Sequence, residues 1–187
     1  MNRRWRPYAV AAAVVVAVAA AIELYLGRVP WCTCGYVKLW HGVVLSAENS
    51  QHLSDWYTPS HVIHGIGFYW LLWLFARRVP IGGRFLAAVF IEAAWEVLEN
   101  SPVIIDRYRA ATISLDYYGD SVVNSVSDMA AMMFGFWLAR RMPAWVSIVL
   151  VVAAEVIVGA IIRDNLALNI IMLIHPIEAI KRWQMSG

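Results

Sequence analysis

The sequence predicts an all-α fold, a polytopic transmembrane helix bundle of five or six spans. The chain has 187 residues, of which 61% are hydrophobic and only 15% charged, whereas a soluble domain carries about 25% charged residues. The apolar residues gather in runs whose lengths approach the roughly 20 residues needed to cross a bilayer. Arginine pairs flank the turns between these runs. Residues 1–187 are therefore predicted to form a single integral membrane domain.

The charge distribution points to a lipid bilayer as the partner of the chain. The net charge is only +2, and the arginines are spread over the flanks of the apolar runs. Nucleic-acid binding domains instead concentrate basic residues on one face. We therefore expect no nucleic-acid partner.

The first apolar run, residues 8–26, is interpreted either as a signal peptide or as a first transmembrane helix. It is longer than the roughly 7–15 apolar residues of a signal peptide, which favours the membrane anchor. Arg3, Arg4 and Arg6 precede it, and basic flanks remain in the cytoplasm. The N-terminus is therefore predicted to be cytoplasmic.

The segment that follows, residues 28–60, is polar and rich in tryptophan. Trp31, Trp40 and Trp56 are amphipathic side chains that favour the membrane–water interface. We expect this segment outside the membrane, with a short helix near Tyr36–Leu45.

Four further spans follow, separated by two short basic turns and by an outer connection over residues 106–119. Arg77 and Arg78 end the first of them, and Arg140 and Arg141 end the third, which places these turns in the cytoplasm. Pro102 ends or kinks the intervening span. The predicted spans are residues 61–76, 85–100, 120–139 and 144–162.

The last apolar run, residues 166–180, is short and contains Pro176. It is interpreted either as a sixth, thin span or as an interfacial helix. Lys181 and Arg182 follow it, and this basic end favours a span that returns to the cytoplasm.

Ionisable side chains within three of these spans define the candidate site. A charged residue at the centre of a membrane helix costs about 2.5–3.5 kcal/mol on insertion scales, so such residues usually face a protein interior or a wet cavity. The predicted orientation places them all in the outer half or the middle of the bilayer, and helical spacing aligns those of each span on one face. They are His61, His64, Glu92, Glu96, Glu99, Asp120 and Asp128.

Three interpretations of this set stay open. Imidazole and carboxylate groups are ligands of zinc, iron and manganese, so His61, His64 and Glu92 are candidate ligands of a divalent transition metal. In that case Asp120, Asp128 and Glu96 are the candidate catalytic acids or bases, as hydrolysis by metal-activated water requires. Alternatively, the acids and histidines form a proton or cation relay, or only hold the helices together by hydrogen bonds.

Two further groups of polar residues complete the candidates, and of these only Asn124 lies within a predicted span. His52, Asp55 and Asn124 are predicted to bind a substrate headgroup above the cavity, although an interfacial belt explains the first two equally well. Cys32 and Cys34 are interpreted as a structural link or idle pair, or as a redox-active or metal-binding thiol pair.

Five stretches of the sequence, residues 31–35, 48–57, 60–65, 92–100 and 119–124, together carry a family resemblance. They resemble a family of uncharacterised bacterial multi-pass inner-membrane proteins, uncharacterised protein family 0314. The resemblance implies a location in the bacterial cell inner membrane and no particular activity. The chain also resembles the VanZ-like glycopeptide-resistance membrane families, which place a histidine on one span, acids on the next and an Asp/Asn pattern on another.

These observations lead to three functional hypotheses of different classes. The first is a metal-dependent enzyme that acts on an envelope lipid or a lipid-linked headgroup. The second is a proton- or cation-coupled transporter, or a membrane protein that binds a lipid or solute. The third is a structural accessory subunit, so the sequence leaves open whether the protein is an enzyme.

Overall fold

The computed structural model describes residues 5–112 and 115–186, and Arg3 and Arg4 lie outside this part. All regular secondary structure in the described residues is helical, and these residues contain no strand, as the sequence predicts. The helices are α1 (Arg6–Tyr25), α2 (Thr58–Phe75), α3 (Ile81–Glu99), α4 (Pro102–Ala111), α5 (Val122–Arg141), α6 (Ala144–Ile162), α7 (Leu166–Ile174) and α8 (Glu178–Met185).

Three of the described helices, α1, α5 and α6, are long and apolar enough to cross a membrane. They indicate a membrane protein. The helices α2 and α3 have comparable lengths, 18 and 19 residues, but carry the histidines and the glutamates predicted for the site. The five long helices correspond closely to the first five predicted spans, while the number that crosses a membrane stays a prediction.

The surface of α6 is consistent with a lipid environment. Its large apolar side chains project outward, with Ile148 63% exposed and Val156 64% exposed. A helix that is apolar on all sides and exposed would be poorly solvated in water. We infer that α6 lies at the periphery of the bundle, where lipid can cover it.

The closest helix pair is α2 and α5, and two glycines allow the approach. A Cβ atom at Gly65 would overlap the carbonyl oxygen of Met132, and one at Gly135 would overlap the carbonyl oxygen of Val62. Small residues let helix backbones come into direct contact in membrane bundles. α3 packs against both α1 and α5. The first turns of α2 and α5 thus meet the last turn of α3 at one end of the bundle, here called the site end.

Two local predictions from the sequence are corrected by the structure. The segment near Tyr36–Leu45 is not a helix, because its backbone pairs with residues 53–54 through Leu53 N–H to Lys38 O (3.1 Å) and His41 N–H to Ser54 O (2.8 Å). The connection after α3, predicted as a loop, instead contains α4. Pro102 ends α3 as expected but also begins α4, since proline is well tolerated in the first turn of a helix.

The last apolar run is also not one continuous helix. It breaks at His175, before Pro176, and α7 has only nine residues, about 13.5 Å at 1.5 Å per residue. The basic end predicted for the cytoplasm lies at the site end instead, since Lys181 Nζ donates to the carbonyl oxygen of Ala110 in α4 (3.0 Å). Residues 166–180 therefore do not form one continuous helix, and a sixth span stays a prediction.

The C-terminal helix is fastened to the site end through Asp164, which is 1% exposed. Its carboxylate accepts hydrogen bonds from Tyr57 (3.1 Å) and from Gln184 (3.1 Å). Burial, which disfavours the ionised form, raises the pKa of Asp164 from 3.8 to about 6.

The raised pKa of Asp164 predicts a specific pH dependence of stability. Because the folded pKa is the higher one, its contribution is fully present below pH 3.8 and is lost as the pH rises through about 6. Over this pH range we expect the unfolding free energy of the wild-type protein to fall by about 3 kcal/mol more than that of Asp164→Asn, which has no carboxyl group to ionise at this position. Thermal unfolding in detergent between about pH 4 and 7 measures it. Asp106→Asn, on the exposed face of α4, is the control, and equal pH profiles for the two variants would contradict the prediction.

Candidate functional site

Two histidines of α2 meet one glutamate of α3 at the site end. His61 Nδ1 lies 2.7 Å from Glu92 Oε1. His64 Nδ1 lies 3.1 Å from each oxygen of the same carboxylate. Glu92 is completely buried, so the two imidazoles are its polar environment. The structure thus brings together the three residues that the sequence predicts as metal ligands.

Two further acids surround His61. Glu96 Oε1 lies 3.3 Å from His61 Nδ1, and Asp128 Oδ2 lies 3.8 Å from His61 Nε2. Asp128 also accepts a hydrogen bond from the hydroxyl of Thr58 (3.2 Å). The imidazole of His61 therefore stands between acids of α3 on one side and an acid of α5 on the other.

Helix geometry explains this convergence. His61 and His64 are three residues apart and Glu92 and Glu96 are four apart, so each pair lies on one face of its helix. Gly65 lies one residue after His64 and brings α2 against the backbone of α5. The spacing of the residues along each helix therefore determines the face on which their side chains lie. Gly65 determines the short distance between α2 and α5.

Asp120, the third predicted catalytic acid, belongs to a neighbouring network around Asn100. Asn100 Nδ2 donates to Asp120 Oδ2 (3.1 Å), and Asn100 Oδ1 accepts from the backbone N–H of Asp120 (2.6 Å). The hydroxyl of Tyr117 donates to the other oxygen of Asp120 (3.1 Å). Asn100 ties the end of α3 to the start of α5, and Asp120 is held in place by it.

The three predicted substrate-binding residues have different positions. Asn124 lines the cavity described below, whereas His52 and Asp55 are not among the described residues that line it. The carboxylate of Asp55 accepts hydrogen bonds from the backbone N–H groups of Ser50 (3.1 Å) and Tyr57 (2.7 Å). Burial raises the pKa of Asp55. His52 and Asp55 thus organise the loop above the cavity and present no polar group to it.

A cavity of about 550 Å³ opens at the site end. His61, His64, Glu92, Asp120 and Asp128 form its polar wall. Arg107 of α4 also lines it and donates through Nε to the carbonyl oxygen of Leu173 in α7 (2.8 Å), which holds α7 across the cavity. Further polar residues of the lining are Asn49, Ser50, Tyr57, Ser60, Glu99, Tyr108, Tyr117, Asn124 and Asn169. The apolar residues of the lining are Phe68, Ile91, Trp95, Ile104, Leu166, Ile170, Leu173 and Ile174.

Three buried polar residues of this end were missed by the sequence interpretation. Glu23 of α1 and Asn100 are completely buried, and Asp164 is 1% exposed. Glu23 is the only acid in the first apolar run, which is the signal that could have identified it. Asn100 and Asp164 stand at the ends of apolar runs, where polar residues are ordinary flanks, so only packing reveals their burial.

The donor atoms fit a metal ion. His61, His64 and Glu92 each offer one ligand atom, and these atoms all lie within 4.8 Å of one another. Two imidazoles and one carboxylate are a ligand set of catalytic zinc, with a further position left for water or substrate. Glu96 lies behind His61 and is not among the described cavity-lining residues.

Comparison with known proteins gives a family but no activity. A family model described as "Protein of unknown function (DUF2585)" matches residues 23–186. The chain is 57% identical over 185 residues to a "UPF0314 protein" of Paracoccus denitrificans, covering 99% of the chain and 95% of that protein. It is 50% identical to one of Brucella anthropi, covering 97% of the chain and 92% of that protein. No solved structure matches, and these matches do not support the VanZ-like resemblance.

Proposed function

We propose a function for this chain from the premise that it belongs to the UPF0314 proteins, the family of unknown function DUF2585. The proposal is a membrane-embedded, metal-dependent enzyme that hydrolyses an envelope lipid or a lipid-linked headgroup. The observation that carries it is the convergence of His61, His64 and Glu92 in a cavity that is lined by both polar and apolar residues.

A divalent transition metal ion bound by these three residues would supply Lewis acidity and activated water for hydrolysis. The surrounding acids would handle protons. Asp128, 3.8 Å from His61 Nε2, faces the cavity and is placed to accept or donate a proton at the reacting group. Glu96, at 3.3 Å from His61 Nδ1, would hold the imidazole in position from behind. Asp120 would serve as a second acid or base.

The shape and chemistry of the cavity support a lipid as substrate. Its polar wall carries the histidines and acids, and Asn124 offers a side-chain amide beside them. A second part of the lining, which includes Phe68, Trp95 and Ile174, is apolar. A molecule with a polar headgroup and an apolar tail can satisfy both walls at once, whereas a fully hydrated solute would leave the apolar wall uncovered.

We also propose the bacterial cell inner membrane as the location, with a cytoplasmic N-terminus. Arg77, Arg78, Arg140 and Arg141 follow α2 or end α5 at the end of the bundle opposite the site end. Such basic turns stay in the cytoplasm. The site end then faces outward, towards the envelope lipids of the proposed reaction.

A specific observation favours a second candidate, a proton or cation relay in a transporter or binding protein. Glu96 is completely buried, and neither of its oxygens accepts a hydrogen bond from a described residue. A buried carboxylate without a hydrogen-bond donor must hold a proton or lie beside a cation, which the imidazole of His61 at 3.3 Å can provide when it is protonated, because an isolated buried charge is very costly. Several acids close to it would allow the proton or cation to move between sites.

Lipid turnover tests the enzyme directly. We expect zinc- or manganese-loaded protein in vesicles of phosphatidylglycerol, phosphatidylethanolamine and polyprenyl phosphate to release a water-soluble headgroup or phosphate. Asp128→Asn should lower the rate by about 100-fold or more, as expected for loss of a general acid or base. Mass spectrometry of both phases measures the products.

The matched control is Asp106→Asn, an exposed change outside the cavity. Proton uptake or cation binding without any product would favour the relay. Intact lipids, together with metal-loaded and folded protein, would contradict the enzyme for these substrate classes.

A further inference from the structure

A second group of metal-ligating side chains lies in the loop between α1 and α2, outside the cavity. It consists of Cys32, Cys34, Glu48 and His52, each of which offers a ligand atom within 4.8 Å of the others. It shares no residue with the His61 cluster. The two sulfurs are joined in a disulfide, so in this state they are not available as thiolates.

The imidazole of His52 is oriented for a ligand role. Its Nδ1 accepts a hydrogen bond from the backbone N–H of Lys38 (3.2 Å), so the neutral ring carries its proton on Nε2. This Nε2 lies 3.1 Å from Glu48 Oε2. The ring is 1% exposed and stacks on Tyr36 at a centroid distance of 5.8 Å. The position of the ring is therefore fixed, and Nε2 becomes a ligand atom once its proton moves to Nδ1.

Glu48 is held beside this ring by hydrogen bonds from several side chains. Lys38 Nζ lies 2.6 Å from Glu48 Oε2, and the hydroxyl of Tyr36 donates to both carboxylate oxygens (3.1 and 3.2 Å). The carboxylate is therefore fixed in position next to His52 and the two cysteines.

We propose that Cys32, Cys34, Glu48 and His52 form a second metal site that opens when the Cys32–Cys34 disulfide is reduced. A dithiol reductant transfers two electrons and two protons to the disulfide, which gives two protein thiols and an oxidised reductant. Binding of one zinc-class ion then releases the two thiol protons, while the proton of His52 moves from Nε2 to Nδ1 and the hydrogen bond from the Lys38 N–H is given up. Two thiolates, one imidazole and one carboxylate are a four-ligand set suited to zinc.

The loop that carries this second site is hydrogen-bonded to residues at the start of α5, beside the cavity. The backbone carbonyl of His52 accepts a hydrogen bond from Asn124 Nδ2 (2.8 Å), and the carbonyl of Ser50 accepts one from the backbone N–H of Ser121 (3.0 Å). Asn49 and Ser50 line the cavity. A metal ion bound by Glu48 and His52 would fix both ends of the segment that covers the site.

Cobalt binding tests the second site, since cobalt–thiolate coordination gives an intense near-ultraviolet absorption. The detergent-purified full chain is titrated with cobalt(II) under anaerobic conditions, before and after reduction with a dithiol. We expect the thiolate band only after reduction, saturating at one equivalent. Glu48→Gln should weaken the binding by about 10-fold or more, since even outer-sphere changes cost 10–100-fold in metal affinity.

The control variant is His64→Gln, which removes a ligand of the cavity cluster but leaves both cysteines in place. It should keep the cobalt–thiolate band, so loss of the cavity metal and loss of the second site are distinguished. Circular dichroism verifies folding of the reduced protein. Absence of the band in reduced, folded wild-type protein, or unchanged affinity in Glu48→Gln, would overturn the proposal.

Discussion

Replacing His64 with Gln is expected to abolish stoichiometric metal binding in the cavity. His64 Nδ1 contacts both oxygens of Glu92, and the amide of Gln cannot supply an imidazole nitrogen in its place. Losing one of three protein ligands should lower the affinity by more than about 100-fold, beyond the cost of an outer-sphere change. Glu92→Gln should have the same effect because it removes the charge that balances the cation. Elemental analysis of detergent-purified protein measures the metal content.

The comparison is made without reductant, so that the Cys32–Cys34 disulfide stays closed and the second site does not contribute. His175→Ala is the matched control, because His175 is exposed beyond the last residue of α7. It should retain the wild-type metal content. Folded wild-type protein that takes up no zinc, manganese or iron would remove the enzyme mechanism and leave the relay or a structural polar core.

Replacing Gly65 with Ala is expected to destabilise the bundle by about 3 kcal/mol or more, at the upper end of the cost of overpacking. The added Cβ would overlap the backbone carbonyl of Met132, and backbone cannot move aside as a flexible side chain can. α2 and α5 must separate or shift to accept it. Thermal unfolding in detergent, followed by circular dichroism, measures the loss.

Gly67 provides the control on the same helix. A Cβ at Gly67 meets no atom within 4 Å, so Gly67→Ala should be neutral or stabilising, since alanine is the better helix former by up to about 1 kcal/mol. Gly135→Ala, on the facing helix, should behave like Gly65→Ala. Equal stability of the Gly65→Ala and Gly67→Ala proteins would show that the helices are not held in backbone contact at this point.

The sequence was sufficient for the long helices and for the centre of the site. Glu92 and Glu96 had to face inward because carboxylates in an apolar helix are too costly to face lipid, and the spacing of His61 and His64 placed both on one face. Their convergence followed from the orientation of three neighbouring spans. Each of these inferences depends on the spacing of residues along a helix and on the cost of exposing a charge to lipid. Both can be judged from the sequence alone.

The parts that could not be predicted depend on tertiary contacts. Pro102 is a local signal that fits both the end of α3 and the start of α4. The sequence alone therefore did not show that a second helix follows. Lys181 and Arg182 were interpreted by the positive-inside rule, but the chain turns back at Pro176 and Lys181 binds α4. Asn100 and Asp164 are likewise buried against partners that are distant in the sequence. Asn100 contacts Asp120, and Asp164 contacts Gln184, each 20 residues away.

The polar face of α3 has a consequence for biogenesis. Glu92, which lies just past the middle of this helix, would cost about 2.5–3.5 kcal/mol if α3 left the translocon alone, and Glu96 one turn further on adds to this cost. In contrast, α1, α5 and α6 are apolar enough to cross a membrane individually. α2 is synthesised immediately before α3, and its two histidines contact these carboxylates. We therefore expect α2 and α3 to enter the bilayer as a helical hairpin whose polar side chains are already paired.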